Sequence, residues 1–329
     1  MNDSATLSQP TAQHLDQPIE AKLNAQSPTL SLHQSFQQIR DLVQQYLRAD
    51  ILRDRLADLP LQWQTPRPRP WQKIRWTEIN REQIIGLEAD IFLLILKGAI
   101  ETETPIRGYT QASRQYLTKL HPAMAEFVGG TVDENGHLVR LGLWELEEKR
   151  HTPVLTKLYT QLAGQPPVLK PHVARPYQPT GDPYQDLYRH GLHRVATEYG
   201  ATCLYLWLMV YATGALRTVL AELLMDEINH MTKFWGFGRW LFPTASLLSL
   251  AQILMRAFYE KLHNPHRQGS LCHTLHRMKK VLGWPQWSWQ HRLTFLYALG
   301  QVMKCLWQWN QGLTSAELQR LLGQPLNPM

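Results

Sequence analysis

Residues 144–151 read Trp-Glu-Leu-Glu-Glu-Lys-Arg-His, and residues 226–230 read Asp-Glu-Ile-Asn-His. Each segment contains a Glu-x-x-His step, Glu148 with His151 in the first and Glu227 with His230 in the second. Residues three apart on an α-helix project from the same face. A carboxylate and an imidazole so placed can coordinate one metal ion, so the two steps together predict a centre with two ions.

Such a centre needs one more carboxylate from each of two further helices. A strongly apolar helix predicted over residues 82–103 contains Glu101 and Glu103. Its apolar pattern does not decide which of the two is the ligand. The helix predicted over residues 186–210 offers Glu198 alone, just before an apolar run. A charged carboxylate on an apolar face needs a partner because burying it unpaired is costly. A single Glu-x-x-His step arises often by chance, but two with upstream carboxylates favour metal binding.

The spacing of apolar residues predicts a chain of helices, and no segment of any length alternates with a period of two. The predicted helices cover residues 33–56, 82–103, 109–126, 138–162, 186–210, 216–235, 246–262, 270–282, 289–311 and 315–322, the last opened by a Ser315/Glu317 cap. Asn135-Gly136 predicts a tight turn. Residues 66–70, with three prolines, should lie extended against the core, docked by Trp71 and Trp76.

These patterns predict an all-α protein with a ferritin-like four-helix di-iron bundle and additional flanking helices. We expect a disordered N-terminal tail over residues 1–32 and a single helical domain over 33–329. Within that domain the bundle core spans about 82–262, and a C-terminal helical extension follows over 263–329.

The formal charge of +7 is dispersed along the chain, which suits an acidic protein partner or an anionic substrate carrier. No motif supports nucleic-acid binding. The three cysteines have no CxxC spacing and are expected as buried thiols in a reducing compartment. The first residues do not resemble a secretory signal. The most apolar run, residues 201–216, falls short of the ~20 residues that a membrane span needs. A cytoplasmic protein without a membrane span is expected.

Four segments carry a resemblance to soluble acyl-ACP desaturases, which act on acyl chains bound to acyl carrier protein. Trp144-x-x-Glu147-Glu148-x-Arg150-His151 resembles their W-x-x-E-E-N-R-H segment, and Asp226-Glu227-x-x-His230-Met231 resembles their D-E-x-x-H box. Glu198-Tyr199-Gly200-Ala201-Thr202 is similar to their E-x-A-T segment, and Glu101-x-x-x-Pro105 with Tyr109 is similar to their E-x-x-x-P-x-Y. The resemblance covers about residues 70–260, and the first segment is its most specific part.

The resemblance implies a di-iron cofactor, with manganese possible, because oxygen and nitrogen ligands without thiolate suit either metal. The implied metal ligands are Glu101, Glu148, His151, Glu198, Glu227 and His230, with Glu148 and Glu227 bridging. The proline offset favours Glu101 over Glu103. Trp144 is implied to lie near the metal, where ordinary packing is the alternative, and Asp226 either holds a ligand histidine or is a solvated helix charge.

The resemblance further implies an O₂-dependent oxidoreductase that desaturates a carrier-bound fatty acyl group. The expected partners are acyl carrier protein or another acyl carrier and a ferredoxin-type electron donor. The chain is expected to form a homodimer. The family has a threonine three residues after its third glutamate, whereas Thr202 lies four after Glu198, so hydroxylation stays open. The alternatives are a di-metal hydroxylase or oxidase of another substrate and a non-catalytic, metal-storing or structural ferritin-like protein. The length of the chain and its extra helices favour an enzyme.

Overall fold

The computed structural model describes residues 30–170, 181–242 and 282–323, which are mostly helical, as the all-α prediction requires. The α-helices of these residues are α1 (Leu32–Tyr46), α2 (Ala49–Ala57), α3 (Leu59–Gln64), α4 (Ala89–Glu103), α5 (Ile106–Leu120), α6 (Pro122–Gly129), α7 (Leu143–Ala163), α8 (Pro183–Val210), α9 (Gly214–Leu241), α10 (Trp289–Gly312) and α11 (Ser315–Leu322). Short 3-10 helices lie at Trp76–Glu78, Arg81–Gln83 and Trp284–Gln286.

Helices α4, α7, α8 and α9 form the centre of the described structure. Helix α8 packs along α9, α4 packs on α7, and α7 also contacts α9. The other helices surround this group: α5 and α6 cover α7, α1 and α10 pack on α8, and α2 and α11 pack on α9. The central helices therefore face one another, and polar side chains on their inner faces are removed from water.

The apolar side chains of α8 attach α10 to the central helices. The ring of Trp207 stacks on that of Trp287, with centroids 4.4 Å apart and planes 4° from parallel. The indole Nε1 of Trp207 donates to Oγ1 of Thr294 at 2.9 Å, so the one polar atom of this buried ring is satisfied. This contact fixes the C-terminal helices against the side of α8 formed by the apolar run.

Several helix boundaries differ from those predicted. The helix expected over 109–126 is two helices, because His121 has extended backbone and caps α6, whose first residue is Pro122. The helix expected over 33–56 is likewise α1 and α2, separated at Leu47-Arg48. Helix α11 has the predicted bounds, but its cap is Thr314, whose side chain accepts from the backbone N–H of Glu317. The helices predicted over 246–262 and 270–282 lie outside the described residues, as does the tail up to residue 29.

A two-stranded antiparallel hairpin precedes α7. Its strands are β1 (Thr131–Val132) and β2 (Leu138–Arg140), and the predicted Asn135-Gly136 turn lies between them. Helix α7 therefore begins at Leu143 and not at residue 138. Gly130 has a φ of +76°, and a Cβ there would collide with the carbonyl oxygen of Arg140. Glycine thus allows the hairpin to close tightly at the start of the helix that carries the first Glu-x-x-His step.

Other expectations from composition are met in part. Within the described residues, no helix combines the length and the apolar character that crossing a bilayer requires. Cys203 is buried as expected, whereas Cys305 is only half-buried and Cys272 lies outside the described residues.

Candidate metal centre

Two overlapping groups of side chains meet between the four central helices. Glu103, Glu148, His151 and Glu227 form one group, and Glu148, Glu198, Glu227 and His230 form the other. In each group the ligand atoms all lie within 4.8 Å of one another, and every member is buried. Because Glu148 and Glu227 belong to both groups, the two groups form adjacent candidate ion sites that share two carboxylates. The two Glu-x-x-His steps do converge, together with Glu198.

The carboxylate from α4 is Glu103 and not Glu101, which corrects the choice made from the proline offset. Successive helical residues are about 100° apart, so residues two apart point to nearly opposite sides. Glu103 is buried at the end of α4 and joins the first group. Glu101 is partly exposed, and its Oε1 accepts from the backbone N–H of Lys170 at 3.2 Å.

Substituting these two glutamates separates their roles. We expect Glu103→Gln to lower the metal content from two ions per chain to one, because Glu103 belongs only to the group that contains His151. Glu101→Gln, the matched control on the same helix, should keep both ions. Metal analysis of the purified variants after gel filtration checks this. Loss of an ion from Glu101→Gln with none lost from Glu103→Gln would reverse the assignment.

Both histidines turn Nδ1 toward the shared carboxylates. Nδ1 of His151 lies 3.3 Å from Oε2 of Glu148 and 3.3 Å from Oε1 of Glu227. Nδ1 of His230 lies 3.0 Å from Oε1 of Glu148 and 3.5 Å from Oε2 of Glu198. These nitrogens are close to carboxylate oxygens, yet neither has a partner in hydrogen-bond geometry. Their lone pairs are therefore free to face an ion.

The opposite nitrogen of each histidine is held by an acid on the neighbouring helix. Nε2 of His151, on α7, lies 3.3 Å from Oδ2 of Asp226, on α9. Nε2 of His230, on α9, lies 3.0 Å from Oε2 of Glu147, on α7. We assign the proton to Nε2 in both rings, because a carboxylate accepts from it and leaves Nδ1 as the ligand atom. Asp226 thus lies where it can hold a ligand histidine, which was one of its two predicted roles. Glu147 holds the other histidine in the same way and was not predicted to do so.

Glu147 is part of a buried chain of hydrogen bonds. Its Oε1 accepts from the backbone N–H of Arg69 at 2.7 Å, and its Oε2 also accepts from the amide of Asn229 at 2.9 Å. Burial alone would raise the pKa of Glu147, but His230 and these donors outweigh burial and lower that pKa to about 2. Nζ of the fully buried Lys233 donates to Oδ1 of Asn229 at 2.7 Å, and it also forms an ion pair with Oδ1 of Asp58 at 2.5 Å.

Asp226 is the meeting point of a second set of donors. Nε of Arg69 and Nε of Arg150 each lie 3.1 Å from one of its oxygens, and Nε1 of Trp71 donates at 2.9 Å. Arg69 also pairs with Glu222 at 2.6 Å. Arg69 and Trp71 come from the extended proline-rich segment and its far end. Docking of this segment therefore supplies hydrogen-bond donors to the carboxylate of Asp226, which lies beside His151.

These outer carboxylates predict a selective effect on each ion. We expect Glu147→Gln to weaken the ion beside His230, and Asp226→Asn to weaken the ion beside His151, each by about 10–100-fold. In both cases the histidine loses the acceptor that orients it and raises its basicity. Stepwise titration with Co(II), followed by visible absorption, resolves the two binding steps. Equal weakening of both steps in both variants would contradict the pairing.

The charges of the centre also fit two divalent ions. Burial and the neighbouring carboxylates raise the pKa of Glu198 to about 8, and burial, followed by Glu148, raises the pKa of Glu103 well above its usual value. In Glu148 burial is outweighed by His151 and His230, which hold its pKa well below the usual range. The protein alone thus cannot keep all four glutamates ionised together, whereas two divalent cations would neutralise four carboxylates.

Buried atoms without partners provide a second test of that fit. Such atoms are rare in folded proteins, and each needs an explanation. At this centre they are Oε2 of Glu103, Oε2 of Glu148, Nδ1 of His151, Oε1 of Glu227 and Nδ1 of His230. All five belong to the two ligand groups, and metal ions are the partners that carboxylate oxygens and imidazole nitrogens at these positions accept. The residues present therefore fit a pair of ions.

The remaining two residues singled out in the sequence lie one turn from the ligands. Thr202 follows Glu198 by four residues on α8, is fully buried, and has no partner for its hydroxyl among the described residues. Trp144 precedes Glu148 by four residues on α7, is fully buried, and packs edge-on against Phe234, with centroids 5.7 Å apart. Neither belongs to a ligand group.

The fold and the site define a mostly helical protein with a buried glutamate–histidine centre compatible with metal binding. Comparisons of the chain with protein-family models, with curated proteins and with solved structures found no match. Its function is therefore inferred from the centre itself.

Proposed function

We propose that this chain is a ferritin-like, di-iron, O₂-dependent oxidoreductase acting on an acyl chain. The observation that supports it most is the pair of ligand groups sharing Glu148 and Glu227, each with one histidine held from behind by an acid. The absence of thiolate from both groups favours iron, or alternatively manganese, over zinc. The reaction that the sequence resemblance favours is desaturation of a carrier-bound fatty acyl group.

The residues divide the work in this proposal. Glu103 and His151 would hold one ion, Glu198 and His230 the other, and Glu148 and Glu227 would bridge them. When bound, the ions would supply the activation of O₂ and the removal of hydrogen from an unactivated C–H bond, which no side chain can perform. Asp226 and Glu147 fix the orientation of the two imidazole rings by accepting hydrogen bonds from their Nε2–H groups.

The buried surroundings serve the same chemistry. The ligand groups lie where side chains of all four central helices exclude water, so charges act there over a low dielectric constant. Desaturation consumes one O₂, two electrons from a donor and two protons, removes two hydrogens from the chain and yields two waters. A ferredoxin-type protein is the proposed donor, and the net charge of +7 suits an acidic carrier or donor protein.

Hydroxylation is the second candidate reaction, because the position of Thr202 differs from that of the threonine in the desaturases that the sequence resembles. This hydroxyl is buried without a partner four residues after Glu198, not three. Hydroxylation uses the same O₂, electrons and protons but places one oxygen atom in the product and releases one water. The two reactions therefore differ in product mass and not in what they require from the centre.

Product mass tests both candidates in one experiment. The protein is loaded anaerobically with Fe(II), reduced, and exposed to O₂ with a panel of free and carrier-bound acyl groups. A loss of two mass units indicates desaturation, and a gain of sixteen indicates hydroxylation. The Glu148→Ala variant is the control for chemistry of loose iron. An unchanged mass for every acyl group would overturn the proposed reaction.

A further inference from the structure

Arg194 is a partly buried cation close to the centre, and it has no ion-pair partner among the described residues. It lies on α8, four residues before Glu198. Among the described residues, its Nη2 donates to Oγ of Ser113 at 3.5 Å, and its buried Nε has no hydrogen-bond partner. A guanidinium has five N–H donors, and leaving buried donors unsatisfied is unfavourable. The group therefore has donors that the described part of the chain does not satisfy.

Two aromatic rings lie next to this guanidinium. Its central carbon lies 4.5 Å from the centroid of Trp144 and 5.7 Å from that of Tyr109. The rings attract the guanidinium by cation–π interaction, which is not a hydrogen bond to its N–H groups and does not satisfy these donors. The arrangement matches planar, two-pronged recognition of a carboxylate.

Arg194 also lies beside the ion site that contains His230. It precedes Glu198 by four residues on α8, just as Trp144 precedes Glu148 by four on α7, and Arg194 and Trp144 touch. The pair therefore forms a layer about one helical turn, ~5.4 Å, from the layer of ligand carboxylates. A group bound to Arg194 would have its next few atoms next to the ions.

Charge compensation by the cluster does not account for Arg194 once metal is bound. Glu198 and Glu148 are the carboxylates that favour its charged form, against burial, which lowers its pKa. Both carboxylates are proposed ligands, so two divalent ions would neutralise them. Among the described residues, the guanidinium would then be a partly buried charge without a counter-charge, which an anion arriving with the substrate would supply.

We propose that Arg194 binds the carboxylate of the substrate, so that the acyl group enters as a free carboxylic acid and is oxidised within a few bonds of that carboxylate. This inference rests on the proposed oxidation at the two-ion centre and replaces the carrier thioester, which has no carboxylate, as the form of the substrate. The shared requirement is a planar anionic head followed by an apolar body, aliphatic or aromatic.

Calorimetry on the metal-loaded protein, without reductant, tests this directly. The probes are octanoate and benzoate, and their neutral analogues octan-1-ol and benzamide. We expect at least one carboxylate to bind the unmodified protein, and Arg194→Gln to weaken that binding tenfold or more. Arg194→Lys, which keeps the charge but loses the two-pronged donor, should give an intermediate affinity and also serves if the glutamine variant does not fold. The neutral analogues should bind at least tenfold more weakly than the matching acid.

Arg292→Gln is the matched control, because Arg292 also lies against a tryptophan ring, that of Trp284 at 6.0 Å, on α10. It should bind the carboxylates like the unmodified protein. Metal content is measured on every sample. If the Arg194 variants hold both ions and bind carboxylates normally, or if neither carboxylate binds at millimolar concentration, this inference is overturned while the metal centre stands. A chain that takes up no metal overturns the proposed function, and this inference with it.

Discussion

Replacing Glu148 by alanine is expected to remove both metal ions from the protein. Glu148 belongs to both ligand groups, with Oε1 3.0 Å from Nδ1 of His230 and Oε2 3.3 Å from Nδ1 of His151. Loss of this carboxylate removes one ligand from each ion, so the remaining side chains bind each ion more weakly. We expect the affinity for each ion to fall by at least about 100-fold, the upper range seen even for outer-shell changes. Metal analysis after gel filtration gives the stoichiometry.

The control for this variant is Glu101→Ala, which removes a carboxylate from α4 at a position outside both groups. It should keep two ions per chain. Circular dichroism of both variants excludes unfolding as the cause of metal loss. Retention of two ions by Glu148→Ala would show that the carboxylate is not shared.

Removing the metal is expected to lower the melting temperature by roughly 10–20 °C. An ion at a thousand times its Kd stabilises the folded state by about 4 kcal/mol, so two sites contribute about twice that. Each kcal/mol shifts the melting temperature by roughly 2–4 °C in chains of 150–250 residues and by less in this longer chain, because the unfolding entropy grows with length. The physical origin is the burial of four glutamates whose ionised forms need cations for neutralisation. Calorimetric scans of metal-loaded and chelator-treated protein measure the shift.

The Glu148→Ala variant is also the control here, because its melting temperature should not respond to added metal. Equal melting temperatures for loaded and chelated unmodified protein would contradict the proposal that the buried acids are held together by ions. A shift that persists in Glu148→Ala would point to metal bound elsewhere.

The helices and the four residues of the Glu-x-x-His steps could be predicted because they depend on local spacing. The step places Glu and His on one helical face whatever surrounds the helix, and the apolar patterns of α8 and α9 locate these helices to within a few residues, apart from the later end of α9. Glu198 was also accessible, because it is the single acid before a long apolar run. The structure brings all five together.

The choice of Glu103 could not be made in this way. Glu101 and Glu103 lie on the same helix near its end, and only the rotation of α4 against α7 decides which of them faces inward. That rotation follows from packing over the whole helix.

The hairpin could be predicted only in part. The Asn135-Gly136 turn was predicted, but the strands on either side of it are too short to leave a pattern in the sequence.

The donors to the acids that hold the histidines are long-range contacts, which explains why these donors were missed. Arg69 and Asp226 are 157 residues apart in the chain, and Arg150 and Asp226 are 76 apart. One local clue existed: an acid directly precedes the bridging glutamate in both boxes, as Glu147 and as Asp226. Reading the two boxes as equivalent would have predicted Glu147 along with Asp226. Nothing local distinguishes Arg194 from the many other arginines of the chain.

The most direct test of the two-ion centre is anomalous diffraction at the iron absorption edge from crystals of iron-loaded protein. We predict two peaks, about 3.5–4 Å apart, between Glu148 and Glu227, with one peak next to Glu103 and His151 and the other next to Glu198 and His230. A single peak at another position, or no peak among these six side chains in protein that retains iron, would contradict the centre proposed for this chain.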